Sequence, residues 1–383
     1  MGLGVCCLMA IRFLSFEGGR IVAGAGASPT DIGRLLLLRA TRGLRQSRGT
    51  IMVVAGCLLL AAGQASGKDL SAVDFSLRLP AALSKFSPYS DVAGVGGASA
   101  GSQYQTSLNP AATDWQPATP YTIGLSPQYQ AVMFERGPTV HVAFEALTLK
   151  LPEGGSIQPA AVELRSDGST AGPFTLLDGD YGQLQWGYKF ADRLALGLNV
   201  NYTSLGTRVG AGGLTFANSQ ADTLDFRGGV LGAVAEHLLV GVVVDYGRSP
   251  ATTNLLDPTT GLCCAKFMDT TRQVLARVGT SYEYAEKSTI YFDYQYADFW
   301  NSTGEFATHR LFSGIEHQIR PWLYARAGVA FDARGGLSPT AGIGLYPTAN
   351  MSIDIGFQSD MFRELAPELG SSKQFGISLA VTF

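Results

Sequence analysis

The sequence predicts an all-β fold: a transmembrane antiparallel β-barrel of about 14 strands, preceded by an N-terminal plug segment. Three observations predict it. Apolar residues recur every second position over segments of about 9 to 14 residues, longer than the usual strand of about 5 to 6. Short and long connections between these segments alternate along the chain. The chain ends on a strand, Lys373 to Phe383, with Phe375, Ile377, Leu379, Val381 and Phe383 on one face and small or polar residues on the other.

Composition fits that class. The 383 residues include 47 Gly, 15 Tyr and 20 Phe, with only 15% charged residues and a net charge of −3. Glycine and aromatics with sparse charge are unusual for a helical cytosolic protein, and the charge excludes an electrostatic case for nucleic acid.

Residues 1–67 read as an N-terminal extension and signal peptide. The apolar run 51–62, "IMVVAGCLLLAA", follows Arg39, Arg42, Arg45 and Arg48 and precedes small residues. It is too short for a membrane-spanning helix, which needs about 20 residues, and has the flanks of a secretory signal cleaved near Ala65 or Gly67. After cleavage Cys263 and Cys264 remain of the five cysteines, and neighbours in sequence bridge only with strain. No disulfide framework, metal site or cofactor is expected.

Residues 68–119 are dominated by Gly, Ala and Ser and hold no long alternating run, so they are expected to form a periplasmic or plug segment. Residues 120–383 are expected to form the barrel. The segments lie near 120–134, 138–151, 157–166, 180–190, 193–205, 222–235, 238–248, 271–284, 288–299, 306–318, 322–332, 338–346, 351–360 and 373–383. Leu194, Leu196, Leu198, Val200 and Tyr202 show the pattern clearly, as do Ile290, Phe292, Tyr294 and Tyr296. Tight turns at 191–193, 236–237, 285–287 and 320–321 alternate with longer joins at 167–179, 206–221, 249–270 and 361–372, as in outer-membrane barrels. With an even strand number both chain ends lie on the short-turn side. A sheet in hydrocarbon must close to pair its backbone, and Phe383 then sits at the membrane boundary.

This register turns Asp225, Asp245, Glu283, Asp293, Glu316 and Asp354 inward, together with Lys189, Arg227, Arg277, Arg310 and Arg326. A lumen with charges so nearly balanced is expected to form paired networks. Pro159 falls in the third strand, where it removes a ladder donor. In the join before the last strand, Met361, Leu365 and Leu369 have i, i+4 spacing, with Phe362 beside the first. A short helix there would offer an apolar landing patch or cap the barrel mouth. Leu255 and Leu256 form another apolar pair in an outer join. His141, His237, His309 and His317 are scattered without metal or triad spacing, so no catalytic residues are expected and the protein is not expected to be an enzyme.

"GGASAGSQYQTSLNPAATDW", residues 96–115, resembles the N-terminal signature of the long-chain fatty-acid transporter (FadL-like) family, with Asn109, Pro110 and Ala111 matching its Asn-Pro-Ala triplet. PorV-type barrels of a secretion system share a similar lead. The first resemblance implies uptake of hydrophobic compounds such as long-chain fatty acids or hydrocarbons across the outer membrane of a Gram-negative-type bacterium. It also implies capture by the outer join around Met361, Phe362, Leu365 and Leu369, a plug at 68–119, and lateral exit through a wall kink, for which Pro159 is the candidate. The expected partners are outer-membrane lipid, a hydrophobic small-molecule solute, and the barrel-assembly machinery through Phe383. The second resemblance implies an accessory or scaffold barrel, and a general diffusion porin is a further alternative.

Overall fold

The structure is a computed structural model, described here for residues 74–84, 108–115, 123–151, 154–168, 170, 172–191, 193–257, 260–333 and 336–383. The expected signal run at 51–62 and the glycine-rich lead before Leu108 lie outside these residues.

Fourteen strands close into one barrel: β1 Ile123–Phe134, β2 Thr139–Lys150, β3 Ser156–Asp167, β4 Pro173–Ala191, β5 Leu194–Ala211, β6 Leu214–Ala235, β7 Leu238–Leu256, β8 Cys263–Ala285, β9 Ser288–Asn301, β10 Gly304–Arg320, β11 Leu323–Asp332, β12 Gly336–Thr348, β13 Met351–Ser359 and β14 Ser372–Thr382. Each pairs antiparallel with its chain neighbours, and β1 pairs with β14 from Gly124↔Thr382 to Phe134↔Ser372. The Phe383 amide donates to the Ile123 carbonyl at 2.9 Å, so the last residue seals the seam. Closure leaves no strand edge, which satisfies the backbone's need for partners in hydrocarbon.

Alternation sorts the two faces. Leu196, Leu198, Phe226, Val244 and Ile377 are exposed on the outside. Their strand neighbours Asn199, Arg227, Asp245 and Ser378 turn to the lumen, as do Gln185 and Arg310 from other strands. The greasy face is therefore exterior and the polar face interior, the inverse of a soluble sandwich. Three exterior histidines are met by tyrosine hydroxyls: His141 by Tyr129 at 2.5 Å, His309 by Tyr294 at 2.7 Å and His317 by Tyr284 at 2.8 Å. Each pairing satisfies a ring nitrogen on a face otherwise rich in hydrocarbon.

Three expected outer joins are corrected: β4 begins at Pro173, which shortens the join expected at 167–179, and two others are largely absent. Residues 206–221 and 249–270 are mostly strand: β5 and β6 run on to a two-residue turn at Gly212 and Gly213, with φ of 61° and 79°, and β7 and β8 run on to Leu256 and from Cys263. Both glycines adopt the left-handed backbone that such a hairpin turn requires. β6 and β8 reach 22 and 23 residues, about twice the 9 to 11 that cross a bilayer. Above the bilayer both faces meet water, so pairing continues while apolar alternation stops. The pair Leu255 and Leu256 accordingly lies on β7 rather than in a loop.

Prolines mark breaks in the ladder. At Pro159 the β2–β3 register passes from Ala146↔Ala160 to Leu149↔Ile157 with two rungs missing, while Pro159 still faces Leu184 on β4. Pro127 leaves a like gap between β1 and β14, and Pro250 one between β6 and β7. Each ring lacks the N–H that its neighbour strand would accept.

Two short N-terminal pieces lie within the barrel. Helix α1, Phe75–Leu83, starts at Asp74, whose carboxylate accepts from the Ser76 amide at 2.8 Å. A 3-10 turn, Pro110–Asp114, follows Asn109.

Candidate functional site

At the lower, short-turn end, the Asn109–Pro110–Ala111 triplet rests on a floor of glycine. Asn109 caps its own turn: its Oδ1 accepts from the Ala111 amide at 3.1 Å and its Nδ2 donates to the Val230 carbonyl of β6 at 3.1 Å. Gly187, Gly197 and Gly229 stand side by side across β4, β5 and β6. A Cβ at Gly197 would lie 2.2 Å from the Pro110 carbonyl carbon, and one at Gly229 would lie 2.2 Å from Asn109 Oδ1. These glycines serve close approach rather than an unusual backbone angle. Asp114 completes the seat, accepting from the Ser156 hydroxyl and the Lys189 amide at 2.9 Å each. Lys189 places its ammonium 5.0 Å from the Trp115 ring centroid.

At the upper end, α1 meets the segment between β13 and β14. Arg310 of β10 donates to the Ala81 carbonyl at 2.9 Å, to Ser84 Oγ at 3.0 Å, to Glu364 at 2.6 Å and to Asp332 at 3.1 Å. Arg78 donates to the Glu364 carbonyl at 2.7 Å and pairs with Glu368. Around these pairs, Met361, Phe362, Leu365 and Leu369 cluster with Leu79 and Ala82 of α1 and with Val132 and Val140 of the wall. All four are buried, at 2–4% exposure. Of the two expectations, an apolar landing patch or a cap over the mouth, this burial fits the cap. A 3-10 turn, Arg363–Leu365, and the single-turn α2, Ala366–Leu369, bring these side chains together. Facing inward, they lose water contact against α1, which a landing patch would not do.

Between floor and cap is a cavity of about 240 Å³. Leu79, Val142, Val162, Leu164, Leu205 and Leu275 give it hydrocarbon, while Gln183, Asn201, Asp225, Arg227, Asp245 and Gln273 give it polar wall. The expected inward charges do form networks. Arg227 meets Asp245 at 2.8 Å, Arg277 meets Asp293 at 2.8 Å, and Arg326 meets Glu316 and Asp354 at 2.5 Å each. Such pairing is what keeps charge tolerable in a lumen of low dielectric.

Other candidates do not converge there. Pro159 sits at the wall below the cavity, three residues before Val162 on β3. Cys263 and Cys264 are free and exposed at the outer tip of β8. Among the described residues no group of three or more His, Cys, Asp or Glu is placed to hold a metal. The glycine floor was not anticipated from the sequence. Its signal was present as glycines at inward positions of consecutive strands, but only register lines them up.

No family model and no curated protein matches this chain. Solved structures match in fold. A CymD monoaromatic hydrocarbon channel superposes with a TM-score of 0.54 at 13% identity, covering 77% of this chain and 99% of its own. The Ralstonia pickettii toluene transporter TbuX gives 0.55 at 14% identity, covering 81% of this chain and 100% of its own. At such identities the similarity is one of barrel architecture.

Proposed function

We propose that the chain is an outer-membrane channel for uptake of hydrophobic compounds. The observation that carries this reading is the partly apolar cavity inside a lipid-facing barrel, closed above by α1 with the 360–371 segment and below by the Asn109–Ala111 turn. Its volume, just under the about 300–1,000 Å³ of drug-sized pockets, favours compact hydrocarbons over long acyl chains. The fold shared with a monoaromatic hydrocarbon channel and a toluene transporter supports the same solute class. An obstructed lumen argues against a plain diffusion porin.

In this reading residues 68–119 act as the plug, and the buried cluster of Met361, Phe362, Leu365 and Leu369 forms the gate above the cavity. The solute leaves sideways where the β2–β3 ladder is broken at Pro159. There the Gln158 side-chain amide donates to the Thr148 hydroxyl at 2.9 Å, a side-chain contact where two backbone rungs are missing. Phe383 serves as the terminal signal for the barrel-assembly machinery, and outer-membrane lipid wets the exterior.

The test compares uptake of labelled ethylbenzene, oleate and sucrose by an outer-membrane-bearing strain lacking its own hydrocarbon channels, with the intact chain and after deletion of residues 68–115. Ethylbenzene uptake by the intact chain, with sucrose admitted only after the deletion, is the expected result. Sucrose flux through the intact chain would favour a porin, and uptake of none an accessory barrel.

A further inference from the structure

Resting on the channel reading, we propose that the internal cavity selects amphipathic solutes whose polar end donates a hydrogen bond, and that Asp225 and Asp245 accept it. The lining is divided. α1, β2 and β3 supply hydrocarbon through Leu79, Val142, Val162 and Leu164, whereas β6, β7 and β8 supply Asp225, Asp245 and Gln273. A pure hydrocarbon would use the first wall and leave the second without partners.

The scaffold takes up part of each carboxyl and leaves acceptor capacity at Asp245. Asp245 is 2% exposed, and its Oδ2 accepts from Arg227 Nε and Nη2 at 2.8 Å, yet its Oδ1 has no hydrogen-bond partner. A buried acceptor without a donor is costly, and a donor carried in by a solute satisfies it. Asp225 accepts from Gln273 Nε2 at 2.9 Å across Gly247, which pairs with both residues. A Cβ at Gly247 would fall 1.8 Å from Asp225 Oδ1 and 2.7 Å from Gln273 Nε2. The missing side chain makes the space in which carboxylate and amide meet above the backbone.

Charge completes the selection. Two carboxyls stand at this wall and its one guanidinium, Arg227, is already held by Asp245, so a solute carboxylate finds no free cation while a hydroxyl or ammonium meets acceptors. The preferred solute is compact and apolar with one donating head, and a fatty acid anion is disfavoured.

Equilibrium dialysis of the purified full chain in amphipol against 4-ethylphenol, ethylbenzene and 4-ethylbenzoate tests this. Wild-type protein is expected to bind 4-ethylphenol about tenfold or more tighter than 4-ethylbenzoate. Asp225→Asn replaces one carboxyl oxygen with an amide donor, and Gly247→Ala displaces the carboxyl while keeping it. Both are expected to lose most of the preference and keep ethylbenzene binding, with folding checked by the heat-shifted gel band. Equal binding of the two heads by wild type, or a preference kept in both variants, overturns the inference. Ethylbenzene bound with no head-group preference overturns it alone; binding of none of the three overturns it together with the channel reading.

Discussion

The Arg310 guanidinium and the Glu364 carboxylate meet at 2.6 Å, with exposures of 1% and 2%, and join a wall strand to a segment far along the chain. The same guanidinium holds the Ala81 carbonyl, so a single side chain binds wall, cap and α1. Removing one partner of a buried pair strands the other charge, at a cost of about 3–5 kcal/mol. Arg310→Met is therefore expected to lower the temperature at which the folded gel band converts to the unfolded one, and to open α1 to protease. The double variant Arg310→Met/Glu364→Met should recover only the part of the loss that Glu364 carries, since it removes that carboxylate but still leaves Asp332 without its guanidinium. Equal stability of the single variant and wild type would show that the pair holds nothing.

Gly197 sits under Pro110 with no room for a side chain, because the atoms a Cβ would meet are backbone atoms that cannot rotate away. Gly197→Val overpacks this contact, a class of change worth about 1–3 kcal/mol. The turn is expected to lift while the barrel still forms, so sucrose and large antibiotics should enter cells carrying the variant. Gly182→Ala is the control, since nothing lies within 4 Å of its Cβ. Unchanged permeability in Gly197→Val would remove the triplet from the role of plug.

Strand existence was legible because lipid outside and polar lumen inside impose opposite chemistry on alternate residues. Leu194 to Tyr202 became the lower half of β5 in the expected phase, and the inward charges from Lys189 to Asp354 fell where alternation placed them. The same signal failed at 206–221 and 249–270, where water on both faces imposes no such rule. Helix α1 was not legible. Its nine residues contain Pro80, and its burial against Phe299, Phe306 and the cap is tertiary. For Met361, Leu365 and Leu369, spacing identified a common face, but direction is set by what α1 offers them.

Glu135, in the turn between β1 and β2, accepts from the Ser371 hydroxyl at 2.9 Å and from its amide at 3.3 Å. The hydroxyl bond first, and then the amide bond, hold this carboxyl below the ordinary glutamate value near 4.5. A depressed carboxylate pKa contributes stability above the unfolded value, and that contribution is lost as pH falls through the folded one. Hydrogen exchange in residues 360–371, corrected for intrinsic rates, should therefore rise as pH falls below 4.5. Glu135→Gln should show the faster exchange already at pH 7 and little further change. A wild-type profile flat through the acid range would show that this contact does not tie the cap to the wall.

Gln158 and Thr148 face each other across the broken rungs beside Pro159, and both point into the lumen. Opposed residues of an antiparallel pair lie about 4.5–5.5 Å apart between Cα atoms, within the span of a disulfide. The variant Gln158→Cys/Thr148→Cys should form that bond under oxidation and fix β2 to β3 where the ladder is open. If the solute leaves through this wall, ethylbenzene uptake falls on oxidation and returns with reductant, while each single cysteine variant stays at the wild-type rate. Uptake that ignores the crosslink would exclude this wall. The next placement to test is then Thr223→Cys/Ser249→Cys at the Pro250 break, where the two hydroxyls lie 2.7 Å apart and both line the cavity.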